Sequence, residues 1–538
     1  MTDTAAAVTP EVTPAEHKRL RWALVLISLA QLMVVLDSTI ANIALPFIGR
    51  DLDIAQANLQ WIVTGYALAF GGLLLLGGRL GDLYGRRAIF MAGVTIFAVA
   101  SLTGGLAQNE AMLLTSRALQ GLGAALASPA ALALITTTFP AGKERNRAFA
   151  VYAMMSGAGA AVGLILGGWL TGIHDFEPFG LHVDGWRLTF LIVVPIGLVA
   201  AALAPRYFDE SERHTGQLDV PGAITGTVGL LGLVYGFSRA GDDAHGWGDP
   251  VTIASLAGGV ALLAVFAVIE SRVEHPLLPI RIFANQTRAA SFAAMMLMPA
   301  AMFSMFFFLS LYIQNIMGYS PLKAGVAFLP FSIGIVISAT IVSNLVGRFD
   351  PRYIAGTGTL MASVALFGFS RLDVPDGAGS VLSALTSDAY LGADVNYWAS
   401  IFPFVMLMSL GMGAVFVPLT LTAVHHVRAE DSGIGSGVLN TMQQVGGALG
   451  LAVMSTVASS YATSHAEEIA PGIGKGLGNA DPGFIETAVQ LGSFPSGAAA
   501  AFFFGTFLML AGSAIVWLFL DVKHEELATD GPEGVAAH

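Results

Sequence analysis

The chain has 538 residues, of which 55% are hydrophobic and only 12% are charged, and its mean hydropathy is +0.70. Soluble proteins carry roughly 25% charged residues, so this composition excludes an ordinary soluble protein and predicts a polytopic membrane protein. The absence of cysteine excludes disulfides and thiolate metal sites. The formal net charge of −12 has to be divided between the two sides of a membrane before it can be interpreted.

Apolar segments separated by charged or Gly/Pro-rich loops predict fourteen membrane-spanning helices, because about 20 apolar residues cross a bilayer. Residues 1–19 are predicted to form a disordered cytoplasmic tail, and the apolar run after them is too long for a cleaved signal peptide. The predicted spans are 21–45, 57–77, 88–107, 111–138, 147–171, 186–204, 219–239, 250–269, 289–316, 324–346, 353–370, 398–424, 433–459 and 498–520.

Lysine and arginine are distributed unevenly between the two sides of this arrangement. Eighteen of the 25 fall on one side, six fall on the other, and Arg117 lies within a span. Because basic residues accumulate on the cytoplasmic side, the bias predicts that both termini lie in the cytoplasm.

A faint internal repeat divides the predicted spans. Residues 121–124 (Gly-Leu-Gly-Ala) of the fourth span are similar to 411–414 (Gly-Met-Gly-Ala) of the twelfth. Parallel six-span repeats build two bundles around a central site. We therefore expect an all-α protein with two six-helix bundles plus an inserted hairpin of two helices that packs outside them. The predicted units are an N-terminal bundle at 20–205, a linker with the hairpin at 206–287, a C-terminal bundle at 288–520 and a cytoplasmic tail at 521–538.

The loop 78–87 places three glycines and four ions between two predicted spans. Glycine permits close helix approach and positive φ, and Asp82 is expected to accept hydrogen bonds from the N-terminal amides of the next helix. We predict that the loop is a conformational latch; the alternative is an ordinary charged turn. The proposed latch residues are Gly78, Asp82, Gly85, Arg86 and Arg87.

Asp37 lies within the first predicted span, where a carboxylate costs roughly 2.5–3.5 kcal/mol and is a functional candidate by default. Arg117 is the one arginine inside a span. Counting at 1.5 Å per residue places both roughly 10–14 Å from the outer boundary, so they can share one polar pocket. The pair is a plausible device for proton coupling, because the arginine favours the ionised acid and protonation breaks the attraction. Purely structural roles for both residues remain open.

Three further patterns complete the sequence evidence. Gly159, Gly163, Gly167 and Gly168 follow each other at helical spacing in the fifth span and fit close helix packing. Adaptable side chains in the ninth span and polar ones elsewhere are candidates for a promiscuous cavity wall, with lipid-facing or packing roles as the alternative. The candidate cavity residues are Tyr66, Met302, Phe306, Gln314, Gln443 and Gln444. No phosphate-binding loop of the ATPase type occurs, which disfavours an ATP-driven pump.

The loop 78–87 resembles the signature loop between spans two and three of the major facilitator superfamily. The fifth span resembles the glycine-rich motif of facilitator antiporters, with Leu164 at the position of the motif's proline. Together with 37–46, 61–66, 186–197 and 311–321, these motifs are similar to the fourteen-spanner drug:proton antiporter branch, the EmrB/QacA type.

This resemblance implies a monomeric multidrug exporter with the major facilitator fold in a bacterial cell membrane. It would exchange amphipathic or cationic compounds for protons, with Asp37 and Arg117 in the proton path. The resemblance implies neither enzymatic activity, nor a cofactor, a metal or a nucleic-acid partner; membrane lipids would surround the protein. Three alternatives stay open: export of one endogenous lipid or metabolite, uptake by symport, and a membrane sensor that does not transport.

Overall fold

The computed structural model describes residues 14–140, 142–173, 183–210, 217–242, 244–372, 376–387, 389–424, 432–478 and 480–529. These residues form fourteen long helices and no β-strand. The long helices are α1 (Pro14–Asp51), α2 (Gln60–Tyr84), α3 (Arg86–Gly105), α4 (Glu110–Thr138), α5 (Lys143–Thr171), α6 (Gly185–Tyr207), α7 (Val220–Ala240), α8 (Pro250–Glu270), α9 (Gln286–Leu311, continued by a π-helical turn Tyr312–Ile316), α10 (Pro321–Leu345), α11 (Pro351–Phe369), α12 (Phe402–Val424), α13 (Ser432–Leu477) and α14 (Pro482–Phe519).

Short elements connect some of these helices. They are the 3-10 turns Gln56–Asn58 and Ile280–Ala284 and the helices Ala378–Ser387, Tyr397–Ser400 and His524–Thr529. Twelve helices in the described part are long and apolar enough to cross a membrane, and α5 and α11 occupy two further predicted spans. The all-α fold predicted from the sequence is confirmed.

Consecutive long helices alternate in direction, so the molecule has two faces. The face that holds the start of α1 and the end of α14 is called the terminal face here, and the opposite one the distal face. At the terminal face, Arg19 Nε donates to the carbonyl of Tyr207 at the end of α6. In the second half, Thr287 near the start of α9 hydrogen-bonds Asp521 just after α14.

Each half of the chain forms a helix bundle held together by close backbone contacts. In the first half, a Cβ on Gly123 of α4 would lie 2.7 Å from the backbone N of Phe97 on α3. In the second half, a Cβ on Gly411 of α12 would lie 2.6 Å from the carbonyl oxygen of Gly358 on α11. Glycines of the two repeat segments therefore allow backbone contact with a neighbouring helix in both bundles, although Gly123 and Gly411 are not aligned positions of the repeat.

The bundles meet along two seams, α2 against α13 and α5 against α10, with further contacts between α1 and α9. Ser310 Oγ donates to the carbonyl of Asn42 at 2.8 Å, and Arg50 Nη2 donates to Asn315 Oδ1 at 3.1 Å. Both contacts lie in the distal half of α1, so polar hydrogen bonds join the bundles there.

The inserted hairpin, α7 and α8, lies outside the bundles but touches both. Trp61 Nε1 on α2 donates to Ser238 Oγ on α7 at 2.9 Å. Thr456 Oγ1 on α13 donates to the carbonyl of Phe237 at 2.6 Å. Helix α7 therefore covers the distal part of the α2–α13 seam, while α8 packs against α7 and keeps most of its surface exposed.

Helices α13 and α14 extend well past the predicted spans 433–459 and 498–520 on the distal side. The helix Ala378–Ser387 packs against both extensions and buries Val381 against Ile469, Ile473 and Ala488. We call this three-helix unit the distal cap. It has its own small apolar core because the helices continue beyond the thickness of a bilayer, where lipid no longer covers apolar side chains.

The chain ends differ in part from their predicted boundaries. Helix α1 begins at Pro14, inside the predicted tail 1–19, and the helix His524–Thr529 lies inside the predicted tail 521–538. Residues 1–13 and 530–538 of these tails lie outside the described residues. The boundaries of the predicted units, 20–205, 206–287, 288–520 and 521–538, stay predictions.

Candidate functional site

A closed polar network lies inside the first bundle, in the distal part of its helices, close to the start of α2 and to the end of α3. Asp37 of α1 faces Arg117 of α4, and their side chains are 3% and 1% exposed. Arg117 Nη1 donates to Asp37 Oδ2 at 2.6 Å, and Arg117 Nε donates to the carbonyl of Ile62 on α2 at 2.7 Å. The structure thus brings together the two ions that depth counting placed at one level.

Gln120 completes the network one turn along α4 from Arg117. Its Oε1 accepts from Arg117 Nη1 at 2.9 Å, and its Nε2 donates to Asp37 Oδ1 at 2.7 Å. The same Nε2 lies 2.8 Å from Ser101 Oγ on α3. Both oxygens of Asp37 therefore accept a hydrogen bond, and one cluster links α1, α2, α3 and α4.

Aromatic rings enclose the cation. The guanidinium carbon of Arg117 lies 4.5 Å from the ring centroid of Tyr66 and 5.8 Å from that of Phe190. Such contacts stabilise a desolvated arginine by about 2 kcal/mol. The ion pair is thus fully paired and hydrogen-bonded, the condition under which a buried charge is tolerated.

This arrangement has a chemical consequence for protonation of Asp37. Each oxygen of the carboxylate accepts one hydrogen bond, from Arg117 or from Gln120, and keeps a second lone pair where a proton can bind. Proton binding removes the charge that pairs with Arg117 and weakens both hydrogen bonds from α4, because a neutral carboxyl is a weaker acceptor than a carboxylate. Protonation of Asp37 is linked in this way to the packing of α1 against α4.

Sequence reasoning missed parts of this network. It gave Gln120 no part in a polar network, and it did not single out Ser101, the carbonyl of Ile62 or Phe190. One signal was available for Gln120, because a residue three positions after Arg117 lies on the same helix face. The other three groups come from α2, α3 and α6, whose rotation about their axes the sequence does not give.

The candidate cavity residues lie in different parts of the structure. Tyr66 joins the Asp37 network, and the ring of Phe306 on α9 lies 4.9 Å from that of Phe331 on α10. Gln314 Nε2 donates to the carbonyl of Ile43 at 3.2 Å, within the contact between α1 and α9. Gln444 lies on the α2–α13 seam, where its Cβ would be 2.7 Å from a Cβ on Gly71. Met302 and Gln443 are partly buried on α9 and α13.

The glycine motif of α5 serves two neighbours. Gly159, Gly163 and Gly167 face α1, where a Cβ on Gly167 would lie 3.1 Å from Ile40 Cα. Gly168 faces α10 instead, and a Cβ there would lie 2.5 Å from the carbonyl oxygen of Pro321. Leu164, at the motif's proline position, presents its carbonyl to Gly325 of α10. The motif therefore sets how closely α5 approaches both α1 and the second bundle.

The latch loop connects α2 and α3 at the terminal face. Gly85 ends α2 with a φ of 104°, a conformation that favours glycine. Arg86 Nη2 pairs with Asp82 at 3.3 Å and Nη1 lies 3.4 Å from the carbonyl of Ala133 on α4. A Cβ on Gly78 would lie 3.8 Å from Pro129 of the same helix.

One expectation for this loop was wrong. Asp82 was expected to accept hydrogen bonds from the first amides of α3, but its described partner is the Arg86 side chain. Glu210, just after α6, fills that role instead, since its Oε1 accepts from the backbone N of Arg87 at 3.2 Å and Oε2 pairs with Arg87 Nε at 3.4 Å. The reason is the position of Asp82 in the chain. It lies on the last turn of α2, one turn before the first amides of α3.

Comparison with known proteins places these features in a family. The model of the major facilitator superfamily matches residues 27–451. The chain is 39% identical to the puromycin resistance protein pur8 of Streptomyces alboniger, covering 96% of this chain and 94% of that protein. It is 38% identical to the cephamycin export protein CmcT of Amycolatopsis lactamdurans, with 81% and 84% covered.

The fold has the same relatives among solved structures. A bacterial homologue of the human lysosomal transporter Spinster, in an inward-facing and unoccupied conformation, superimposes with a TM-score of 0.67. The two sequences are 17% identical, and the match covers 96% of this chain and 99% of that one. This likeness concerns the fold alone. The chain is a multi-pass membrane protein that belongs to the major facilitator superfamily.

Proposed function

We propose that this protein exports amphipathic, drug-like compounds from a bacterial cell in exchange for protons. The family and the relatives, named for antibiotic resistance and export, support a transporter rather than an enzyme. The observation that carries proton coupling is the closed network of Asp37, Arg117 and Gln120, because a proton on this carboxylate removes the charge that pairs with Arg117 and weakens the hydrogen bonds between α1 and α4. Under this proposal no cofactor is required.

The proposed cycle uses the contacts between the bundles. Hydrogen bonds at Asn42 and Arg50 close the distal half, and we assign the terminal face to the cytoplasm from the excess of basic residues there. A substrate then enters from the cytoplasmic side. Protonation of Asp37 from outside loosens α1 from α4 and biases the equilibrium between the two conformations.

Flux in proteoliposomes under an imposed pH gradient tests this function. Purified protein is reconstituted and screened with dyes, cationic drugs and lipids. We expect several chemically unrelated amphipathic compounds to move only when the gradient is present, with protons moving in the opposite direction. Transport confined to one lipid or metabolite would favour a specific exporter, co-directional movement of protons would favour symport, and binding without flux would favour a sensor.

The latch gives a prediction that separates turnover from binding. Asp82→Asn removes the ion pair with Arg86 at the end of α2 but changes no residue of the Asp37 network. We expect slower turnover with substrate affinity nearly unchanged, since the variant alters a conformational equilibrium. Binding and flux measured on the same preparation check this; a large loss of affinity with unchanged turnover would contradict it.

The position of the hairpin predicts that it does not line the substrate path. Because the chain has no cysteine, single cysteines can be placed along 229–236 of α7, where glycines pack against α8. We expect thiol labelling at these positions to be unaffected by substrate, whereas a cysteine at Tyr66 should be protected. Equal protection at both places would show that the hairpin forms part of the path.

A further inference from the structure

Two buried acids meet at the terminal end of the inserted hairpin. Asp219 precedes α7 as its N-cap and Glu270 is the last residue of α8; each is only 4% exposed. One oxygen of each carboxyl has a backbone donor. Asp219 Oδ1 accepts from the N–H of Gly222 at 2.8 Å, and Glu270 Oε2 accepts from the N–H of Leu278 at 2.9 Å.

The other two oxygens face each other. Asp219 Oδ2 and Glu270 Oε1 are buried and receive no hydrogen bond from any N–H or O–H donor in the described residues. Both would lie less than 3.0 Å from a Cβ on Gly222, so the two oxygens are less than 6 Å apart. Only glycine leaves room for this approach, because a side chain at position 222 would clash with both oxygens.

The surrounding elements supply no counter-ion. Within the described part of the chain, none of their ionisable side chains forms an ion pair or hydrogen bond with either carboxyl. Arg239 lies at the opposite end of α7 and pairs with Asp249. The ionisable side chains on these elements are Tyr235 and Arg239 on α7, the exposed Arg272, Glu274, His275 and Arg281 on the loop after α8, and Arg79, Asp82 and Tyr84 at the same end of α2.

We propose that Asp219 and Glu270 form a proton-binding site, in which one proton is shared between their carboxyls. Two ionised carboxylates at this separation, buried and without a cation, repel each other and lose their hydration. A single proton removes the repulsion and supplies a hydrogen bond to the remaining carboxylate, because the O–H of one carboxyl donates to the unpartnered oxygen of the other. The site is separate from Asp37, which lies in the first bundle and is paired with an arginine.

The shared proton holds the base of the hairpin together. It joins the start of α7 to the end of α8 and, through Leu278, to the loop that leads into the second bundle. The site exists only in the folded protein, because unfolding separates the two carboxyls. The contribution of the shared proton to stability is therefore present at low pH and is lost as the pH rises and the proton leaves the site.

Thermal unfolding of the purified full-length protein as a function of pH tests the site, with Glu270→Gln as the matched variant. The amide of glutamine donates to Asp219 at every pH and so replaces the shared proton permanently. We expect the wild type to lose a few degrees of melting temperature relative to Glu270→Gln between mildly acidic and mildly alkaline pH. At acidic pH the melting temperatures of the wild type and Glu270→Gln should coincide. The Asp37→Asn variant should lose melting temperature with rising pH in the same way as the wild type.

Parallel pH curves for the wild type and Glu270→Gln would overturn the proposal. An alkaline loss that added Mg²⁺ or Ca²⁺ abolishes in the wild type alone would assign the pair to a cation instead. If Glu270→Gln does not accumulate, Asp219→Asn places an amide donor on the other side of the pair. The infrared band of a protonated carboxyl then gives a second readout: it should vanish on alkalinisation of the wild type and be missing from either variant.

Discussion

Replacing Asp37 by asparagine is expected to abolish proton-driven efflux while the protein still reaches the membrane. The amide cannot cycle between charged and neutral states, and it leaves Arg117 buried without a counter-ion. Breaking a buried pair by removing one partner costs about 3–5 kcal/mol. We therefore expect lower thermal stability together with complete loss of substrate movement driven by a pH gradient in proteoliposomes.

Two further variants separate loss of coupling from loss of folding. The double change Asp37→Asn with Arg117→Gln removes both charges, so it should recover stability but not energised efflux. Asp51→Asn serves as the control, since Asp51 pairs with Arg187 in a partly exposed position at the distal face and should retain transport. Wild-type efflux of several substrates by Asp37→Asn would refute a coupling role for this acid.

Adding one methyl group at Gly168 is expected to impair the transport cycle as strongly as substitution of a residue that lines the substrate cavity. A Cβ there would lie 2.5 Å from the carbonyl oxygen of Pro321 and 2.8 Å from Leu322 Cα, both rigid backbone atoms. Overpacking costs about 1–3 kcal/mol, which shifts a two-state equilibrium by roughly 5–150-fold. Gly168→Ala should therefore disfavour distal closure and lower turnover by at least about tenfold.

The rate at which a cysteine in the distal contact is labelled measures the conformational shift directly. A single cysteine placed at Ser310, inside the distal contact between α1 and α9, should react faster with an external thiol reagent in the Gly168→Ala background. Gly258→Ala on α8 is the control, because nothing lies within 4 Å of that position and the residue is exposed. Unchanged labelling and turnover in Gly168→Ala would show that this approach does not limit closure.

The sequence was most informative where composition and depth along a helix decide the outcome. Hydropathy located every long helix, and counting residues from the outer boundary placed Asp37 and Arg117 at one level. The rotation of a helix about its axis is set by contacts distant in the chain, so Ser101 could not be assigned. Glu210 follows the end of α6, and the sequence does not give the path of the chain there. A hydropathy profile detects only the segments that lipid surrounds, and it therefore did not predict the continuation of α13 and α14 into the distal cap.

The distal cap has a practical consequence for imaging. A helix of 46 residues such as α13 has a contour length of about 69 Å, against roughly 30 Å for the hydrocarbon core of a bilayer. A detergent belt therefore leaves a helical projection uncovered on one bundle alone. In projection images this feature breaks the apparent twofold symmetry of two six-helix bundles. It offers an intrinsic alignment marker for cryo-electron microscopy of a transporter with little other mass outside the belt.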